Sequence, residues 1–248
     1  MPRQARKKSE SGIYHVMLRG INQQQIFEDS EDYYKFLDIL TECKAISEFK
    51  LIAYCLMGNH IHLLIKEGPE TLEQIFKRIC GRFVYWYNIK YQRAGHLFQD
   101  RFKSEPVDSE KYFFTVLRYI HQNPVKAGVC KRVENYVYSS YLEYISGKNL
   151  VDTDYVLELT TIEEFVGLHQ QNKEDSCLDI TDKVIRRVTD EQAKYLIKKI
   201  AKCDNVADFQ NLDIPVRDKY LKKLRDKGIS IRQLSRLTGI SFNVVRKF

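Results

Sequence analysis

No stretch of this chain approaches the roughly 20 consecutive apolar residues that a membrane-spanning helix needs, so no membrane partner is expected. The N-terminus carries Arg3, Arg6, Lys7 and Lys8 but leads into no apolar segment, so no secretory leader is expected either. Six cysteines, Cys43, Cys55, Cys80, Cys130, Cys177 and Cys203, are scattered with no Cys-x-x-Cys pair. That spacing indicates neither a zinc knuckle nor a disulfide framework, and it suits a reducing cytoplasm. No glycine-rich loop of the kind that cradles nucleotide phosphates occurs, nor any internal repeat or low-complexity tract.

What is present is a chain of 248 residues, 44% hydrophobic and 29% charged, with a net charge of +7. The composition is that of a folded protein, long enough for one large or two smaller domains. The charge is unevenly placed. Residues 1–8 hold four basic groups and no acid, and residues 9–150 are nearly balanced. Residues 151–216 are anionic, with 8 basic and 14 acidic groups, whereas residues 217–248 hold 10 basic and 2 acidic ones. Clustered cationic charge suits a polyanion, nucleic acid foremost.

Patterning predicts a strand over 13–18, a helix over 32–47, strands over 51–56 and 61–65, a helix over 71–91, an extended segment over 96–107 and a helix over 108–123 halted by Pro124. The Gly58-Asn59 pair between two apolar runs predicts a tight type II′ hairpin, with Gly58 at positive φ. This order, βαββαβ followed by a helix, is the split unit of ferredoxin-like α+β sandwiches. Beyond residue 149 only helical patterns remain. The boundary is therefore drawn between a catalytic-sized domain, 1–149, and a helical domain, 150–248.

Two motifs carry chemistry. In Asn59-His60-Ile61-His62-Leu63-Leu64-Ile65, strand alternation puts His60 and His62 on one face and Ile61, Leu63 and Ile65 on the other. With the apolar face against helices, both imidazoles are expected side by side on an open face, where they can chelate a divalent ion. A His-x-His-x-His nucleotide hydrolase would need a histidine at position 64, which is Leu64. In the helix before Pro124, Tyr119 and Asn123 are four residues apart and share a face. Asp108 is the expected N-cap, and Asn123 the last or capping residue.

At the C-terminal end, Tyr220 to Lys227, Ser230 to Leu237 and Phe242 to Phe248 read as three helices, with Ser230 as an N-cap and Gly239 in a turn. The arrangement predicts a helix-turn-helix near 217–248, and the acidic 151–216 stretch is expected to be a helical spacer.

The motifs together resemble those of REP-associated tyrosine transposases, within the single-tyrosine HUH transposases of insertion sequences. The resemblance rests on Tyr14-His15-Val16 with Arg19-Gly20, Met57-Gly58-Asn59-His60-Ile61-His62, Gly95-His96-Leu97-Phe98 through Lys103-Ser104, Arg118-Tyr119-Ile120-His121-Gln122-Asn123-Pro124, and Tyr138-Ser139-Ser140-Tyr141. It implies a DNA endonuclease and strand transferase that cuts single-stranded or hairpin DNA through a 5′-phosphotyrosine. By that similarity His60 and His62 are ligands of Mg²⁺ or Mn²⁺ and Tyr119 is the nucleophile. Asn123 stands where the insertion-sequence members carry a glutamine as third ligand, and it is one methylene shorter. Arg19, Arg101 and Lys103 are candidate phosphate contacts, and Arg232, Arg236 and Arg246 candidate contacts to duplex DNA through the C-terminal domain. The oligomeric state expected is a monomer or a homodimer. A non-catalytic DNA-binding regulator of the same fold is the alternative, although His60, His62 and Tyr119 are all retained.

Overall fold

The computed structural model of the chain describes residues 6–147, 150–171, 177–178, 190–203, 205–229 and 231–248, without the side chains of 190–192 and Arg232. Two compact units divide it, 1–179 and 180–248.

In the first unit, β1 (Ile13–Arg19), α1 (Ser30–Ser47), β2 (Lys50–Met57), β3 (His60–Lys66), α2 (Leu72–Lys90), β4 (Lys103–Pro106) and α3 (Glu110–Lys126) follow one another as the patterning predicts. The strands form one antiparallel sheet in the order β2-β3-β1-β4, the arrangement of a ferredoxin-like split βαβ pair. Capping boxes start α1 and α2. Asp29 accepts from Glu31 N–H and Asp32 N–H at α1, and Thr71 pairs with Gln74 at α2. α1 packs on α2, where the Phe36 and Phe83 rings meet edge-on, their centroids 5.1 Å apart.

Four local expectations change. β4 has only four residues; the preceding segment meets the end of β1 at the Gly20–Phe98 bridge, where Gln99 N–H donates to Arg19 O at 2.9 Å. The hairpin between β2 and β3 does have a two-residue turn, Met57 pairing with His60, but Gly58 is not among the positive-φ glycines. The nearest atoms to a Cβ at Gly58 belong to the end of the exposed Gln25 side chain, Oε1 at 2.3 Å, which can move aside, so neither turn type nor close approach requires glycine there. Ser109, not Asp108, caps α3. The Asp108 carboxylate instead accepts from Glu10 N–H at 2.9 Å and Ser11 N–H at 3.2 Å, tying the N-terminal segment down. Finally, α3 runs through Pro124 to Lys126. Near a helix end the ring leaves only one carbonyl without its partner, and the helix still closes with Ala127 N–H donating to Asn123 O at 2.9 Å.

The largest difference concerns the sheet face expected to be open. α3 lies across β2 and β3 on that face. The strands are therefore buried on both sides, and β2 is buried at every position after Lys50. Its sequence, Leu51-Ile52-Ala53-Tyr54-Cys55-Leu56, is a continuous apolar run without alternation, as expected of a strand covered on two faces.

The first unit also extends about 30 residues past the boundary drawn at 150. After α4 (Glu143–Ser146) the chain returns along the outer edge of β2, with Asp152 N–H donating to Leu51 O at 2.7 Å and the Asp152 carboxylate accepting from Leu51 N–H at 2.8 Å. Upstream, Leu56 N–H donates to Tyr138 O at 2.9 Å. These bonds cover an edge that would otherwise expose unpaired backbone groups. α5 (Asp154–Leu157) and α6 (Ile162–Gln170) follow, and α6 packs on α3 through Phe165 and His169, both buried. The first part of the acidic stretch is therefore core structure, not spacer.

The second unit contains α7 (Asp190–Ala201), α8 (Val206–Gln210), α9 (Ile214–Asp226), α10 (Ile231–Thr238) and α11 (Phe242–Val245) around a core that includes Ala193, Ile197, Phe209, Leu221, Leu224, Leu234, Ile240 and Val245. α9 starts six residues earlier than the pattern suggested, and α11 has only four residues. Gly239, at φ +66°, makes the turn between α10 and α11. Ser230, the expected N-cap, lies outside the described residues.

Candidate active site

β3 presents His60 and His62 to the same side, and the strand register adds residues from its neighbours. Arg19 pairs with His60, Met17 with His62 and with Lys103, and His15 with Glu105. Directly paired residues of antiparallel strands share a face, so Arg19, His15, Lys103 and Glu105 lie on the same sheet face as the two histidines.

α3 supplies the other half. Asn123 Nδ2–H donates to His62 Nε2 at 3.2 Å, and Asn123 Oδ1 lies 3.1 Å from His60 Nε2. One turn earlier, the Tyr119 ring meets His62 edge-on at 5.6 Å between centroids and His15 at 5.9 Å. Tyr119 is 4% exposed and Asn123 8%. Because the helix continues past Pro124, the Asn123 amide is not used as a cap and is free to reach the sheet. The structure thus brings together His60, His62, Asn123 and Tyr119, four of the residues singled out from sequence.

The histidines are not equally accessible. His60 is half-buried, whereas His62 is fully buried. Burial, reinforced by the neighbouring His15 and His60, pushes the His62 imidazole well below its ordinary pKa. It is therefore uncharged at neutral pH, the form that offers a lone pair to a metal.

His60 Nδ1 lies 2.7 Å from Asn59 Oδ1 while its Nε2 faces Asn123 Oδ1. A neutral imidazole has one N–H, so it cannot donate to both oxygens. With the ring neutral, its proton given to Asn59 and Asn123 Oδ1 facing Nε2, two lone pairs confront each other across 3.1 Å, an arrangement that a cation would stabilise. The 3.1 Å separation of His60 Nε2 and Asn123 Oδ1 also matches the roughly 3 Å edge of an octahedral ion with bonds of about 2.1 Å. Among the described residues no three His, Cys, Asp or Glu side chains form a metal-holding group, so the third protein donor would have to be the amide. The residues present fit a divalent ion.

Three participants were not assigned a role from sequence. His15 Nε2 is 3.0 Å from His62 Nδ1, and His15 Nδ1–H donates to Glu105 Oε1 at 2.8 Å. Burial raises the Glu105 carboxyl, but hydrogen bonds from His15, the Leu178 amide and Tyr112 outweigh it and hold the carboxyl below its ordinary value. Lys126 places its ammonium 4.8 Å from the Tyr119 ring centroid. Lys126 could have been found from its seven-residue spacing from Tyr119, whereas His15 and Glu105 are brought in only by strand pairing.

The remaining candidates are distributed differently. Arg19 and Lys103 lie on the histidine face. Arg101 is exposed and lines a cavity of about 860 Å³ between α2 and residues 96–102, with Phe76, Phe98 and Phe102; none of His60, His62, Tyr119 and Asn123 lines it. Arg236 and Arg246 are exposed on the second unit, and the Arg232 side chain lies outside the described residues. No helix among the described residues is long and apolar enough to cross a membrane.

Residues 8–123 match the model of a family described as "Transposase IS200 like". A protein of Haemophilus influenzae named "Putative REP-associated tyrosine transposase" is 31% identical over 106 residues, covering 38% of this chain and 59% of that protein. The chain thus matches about three fifths of that relative's length. Among solved structures, a REP-associated tyrosine transposase bound to a REP hairpin superposes with a TM-score of 0.52 at 19% identity, over 74% of this chain and 96% of that one. At that identity the superposition establishes the fold. The resemblance drawn from the motifs is borne out by these matches.

Proposed function

We propose, from the IS200-like transposase similarity of residues 8–123, that this chain nicks and rejoins single-stranded DNA at repeat hairpins, with Tyr119 as nucleophile. The observation that carries the reading is the seating of Tyr119 and Asn123, one turn apart on α3, against His62 and His60.

The Tyr119 phenol oxygen forms a bond to the scissile phosphorus as the bond to the 3′ oxygen breaks. The strand then ends in a free 3′-OH, and its 5′ phosphate is esterified to Tyr119. The phosphodiester is exchanged rather than hydrolysed, so a second 3′-OH can attack the phosphotyrosine and restore a strand without ATP. A helix is a suitable platform, because in-line attack demands that the attacking oxygen be held in a narrow range of positions. His60, His62 and Asn123 would hold Mg²⁺ or Mn²⁺, which supplies polarisation of the phosphate and neutralisation of developing charge. Arg19 and Lys103, on the same sheet face, and Lys126, over the Tyr119 ring, serve as cationic contacts for the strand. Tyr119 is only 4% exposed, so a bound strand must part the cover over its ring before reaction.

The same reading assigns the second unit to duplex DNA, α10 and α11 forming the helix-turn-helix, with Arg232, Arg236 and Arg246 as phosphate contacts. Its support is the 10 basic against 2 acidic groups of residues 217–248.

The direct test incubates the full chain with oligonucleotides carrying hairpins from the flanks of its own coding region, with Mn²⁺ or with chelator. Transfer of label from the 3′ fragment onto protein, mapped to the Tyr119 peptide and abolished by chelator, is expected. Cleavage without an adduct, or an adduct on another peptide, overturns the assignment.

A further inference from the structure

A metal-ligating histidine functions only when one ring nitrogen is bare and pointed at the ion, and the partner on its other nitrogen decides which one that is. For His62 that partner is His15, a residue with 0% of its side chain exposed. We infer that Glu105 and His15 are positioning residues that fix the ring orientation and the proton of His62, leaving His62 Nε2 bare and directed at Asn123. The inference rests on the proposed function only in that the cation is the expected occupant.

The direction of the relay follows from its acidic end. A carboxylate only accepts, so His15 Nδ1 carries the proton in the 2.8 Å bond to Glu105 Oε1. With one ring proton, His15 then has a bare Nε2, which accepts from His62 Nδ1–H across 3.0 Å. His62 Nε2 is left without a proton, and Asn123 Nδ2–H donates to it. With His15 neutral and the Asn123 amide oriented with Nδ2 toward His62, each contact in the series has a donor and an acceptor in this sense.

Glu105 is itself fixed. Its Oε1 also accepts from Leu178 N–H at 2.7 Å, and Tyr112 hydrogen-bonds the same carboxylate. The His15 and His62 rings are stacked, with centroids 5.2 Å apart and planes inclined by 28°. Packing alone would be served as well by phenylalanine at position 15; what phenylalanine lacks is an acceptor for His62 Nδ1–H.

The test uses the full chain in three variants, His15→Phe, Glu105→Leu and Glu105→Gln, with two readouts. Long-range ¹H–¹⁵N spectra of the metal-free protein report the His62 tautomer, and calorimetric titration with Mn²⁺ reports affinity. The wild type should show His62 protonated at Nδ1. His15→Phe and Glu105→Leu should lose that single tautomer and bind Mn²⁺ about 10- to 100-fold more weakly. Glu105→Gln should stay within a few-fold of the wild type, because Leu178 N–H and His15 Nδ1–H both call for an oxygen at that point. Glu105 keeps about a quarter of its side-chain surface exposed, so its variants remain informative where His15→Phe destabilises the fold. An Nε2-protonated His62 in the wild type, or unchanged Mn²⁺ affinity in both disruptive variants, overturns the inference. If the wild type binds no Mn²⁺ at all, the proposed function fails, whereas the tautomer measurement still decides the relay.

Discussion

His62 and Asn123 stand 61 positions apart in the chain, and the amide of one donates to the imidazole of the other at 3.2 Å. The contact exists because α3 lies flat on the sheet face that carries the histidine pair. It makes the site a closed junction between strand and helix, and it separates the consequences of changing each residue.

Replacing either histidine by alanine should abolish metal-dependent nicking, but the two variants should differ in stability. His62→Ala leaves a cavity and an unpartnered His15 nitrogen in a fully buried place. A loss of about 1–3 kcal/mol is expected, against under about 1 kcal/mol for the half-buried His60. Denaturant titrations of both, beside nicking assays with Mn²⁺, check this; equal stability would deny His62 its buried place.

Tyr119→Phe should bind hairpin DNA and Mn²⁺ as the wild type does while forming no covalent adduct. The ring keeps its edge contacts with His15 and His62, so the melting temperature should move by no more than a few degrees. An adduct surviving in this variant would exclude Tyr119 as nucleophile.

A chain ending at residue 179 should fold and retain nicking, because the first compact unit closes there. One ending at 150 lacks Phe165 and His169, both buried against α3. Loss of a buried phenylalanine alone costs about 3–5 kcal/mol, so the shorter chain should be markedly destabilised or insoluble. Equal melting temperatures for the two would restore the boundary near 150.

The same 1–179 chain should lose most duplex affinity and most of its salt dependence. In the full chain, Arg236→Ala and Arg246→Ala should each reduce the slope of log affinity against log salt by about 1. Undiminished duplex binding by 1–179 would remove the second unit from DNA recognition.

Acid should destabilise the first unit in a defined window. Burial holds the His169 imidazole down at about 4, against 6.5 for the free side chain, and pushes His62 and His121 well below the ordinary value too. A histidine whose folded pKa is depressed favours the folded state above its unfolded pKa, and that contribution is lost as pH falls toward the folded value. Unfolding free energy should therefore be level above about pH 6.5 and decline between there and pH 4. His169 alone contributes on the order of 3 kcal/mol. His169→Gln should shallow that decline, as followed by urea unfolding at pH 7, 6, 5 and 4.

Much of this protein was legible in its sequence because local rules decide it. The period of apolar residues sets the order of strands and helices; strand alternation puts His60 and His62 on one face; the four-residue spacing puts Tyr119 and Asn123 on one face of α3. Side-chain position relative to its own backbone is fixed by strand and helix geometry, whatever lies opposite. What lies opposite was decided only by tertiary packing. Alternation could not say that α3 would cover the histidine face and bury His62, that α6 would close over α3 through Phe165 and His169, or that Asp152 would return to the edge of β2. Nor could it select His15 and Glu105, which meet His62 through strand pairing between segments far apart in sequence. Such contacts depend on the sum of apolar area buried across the whole unit. No single window of residues contains that sum.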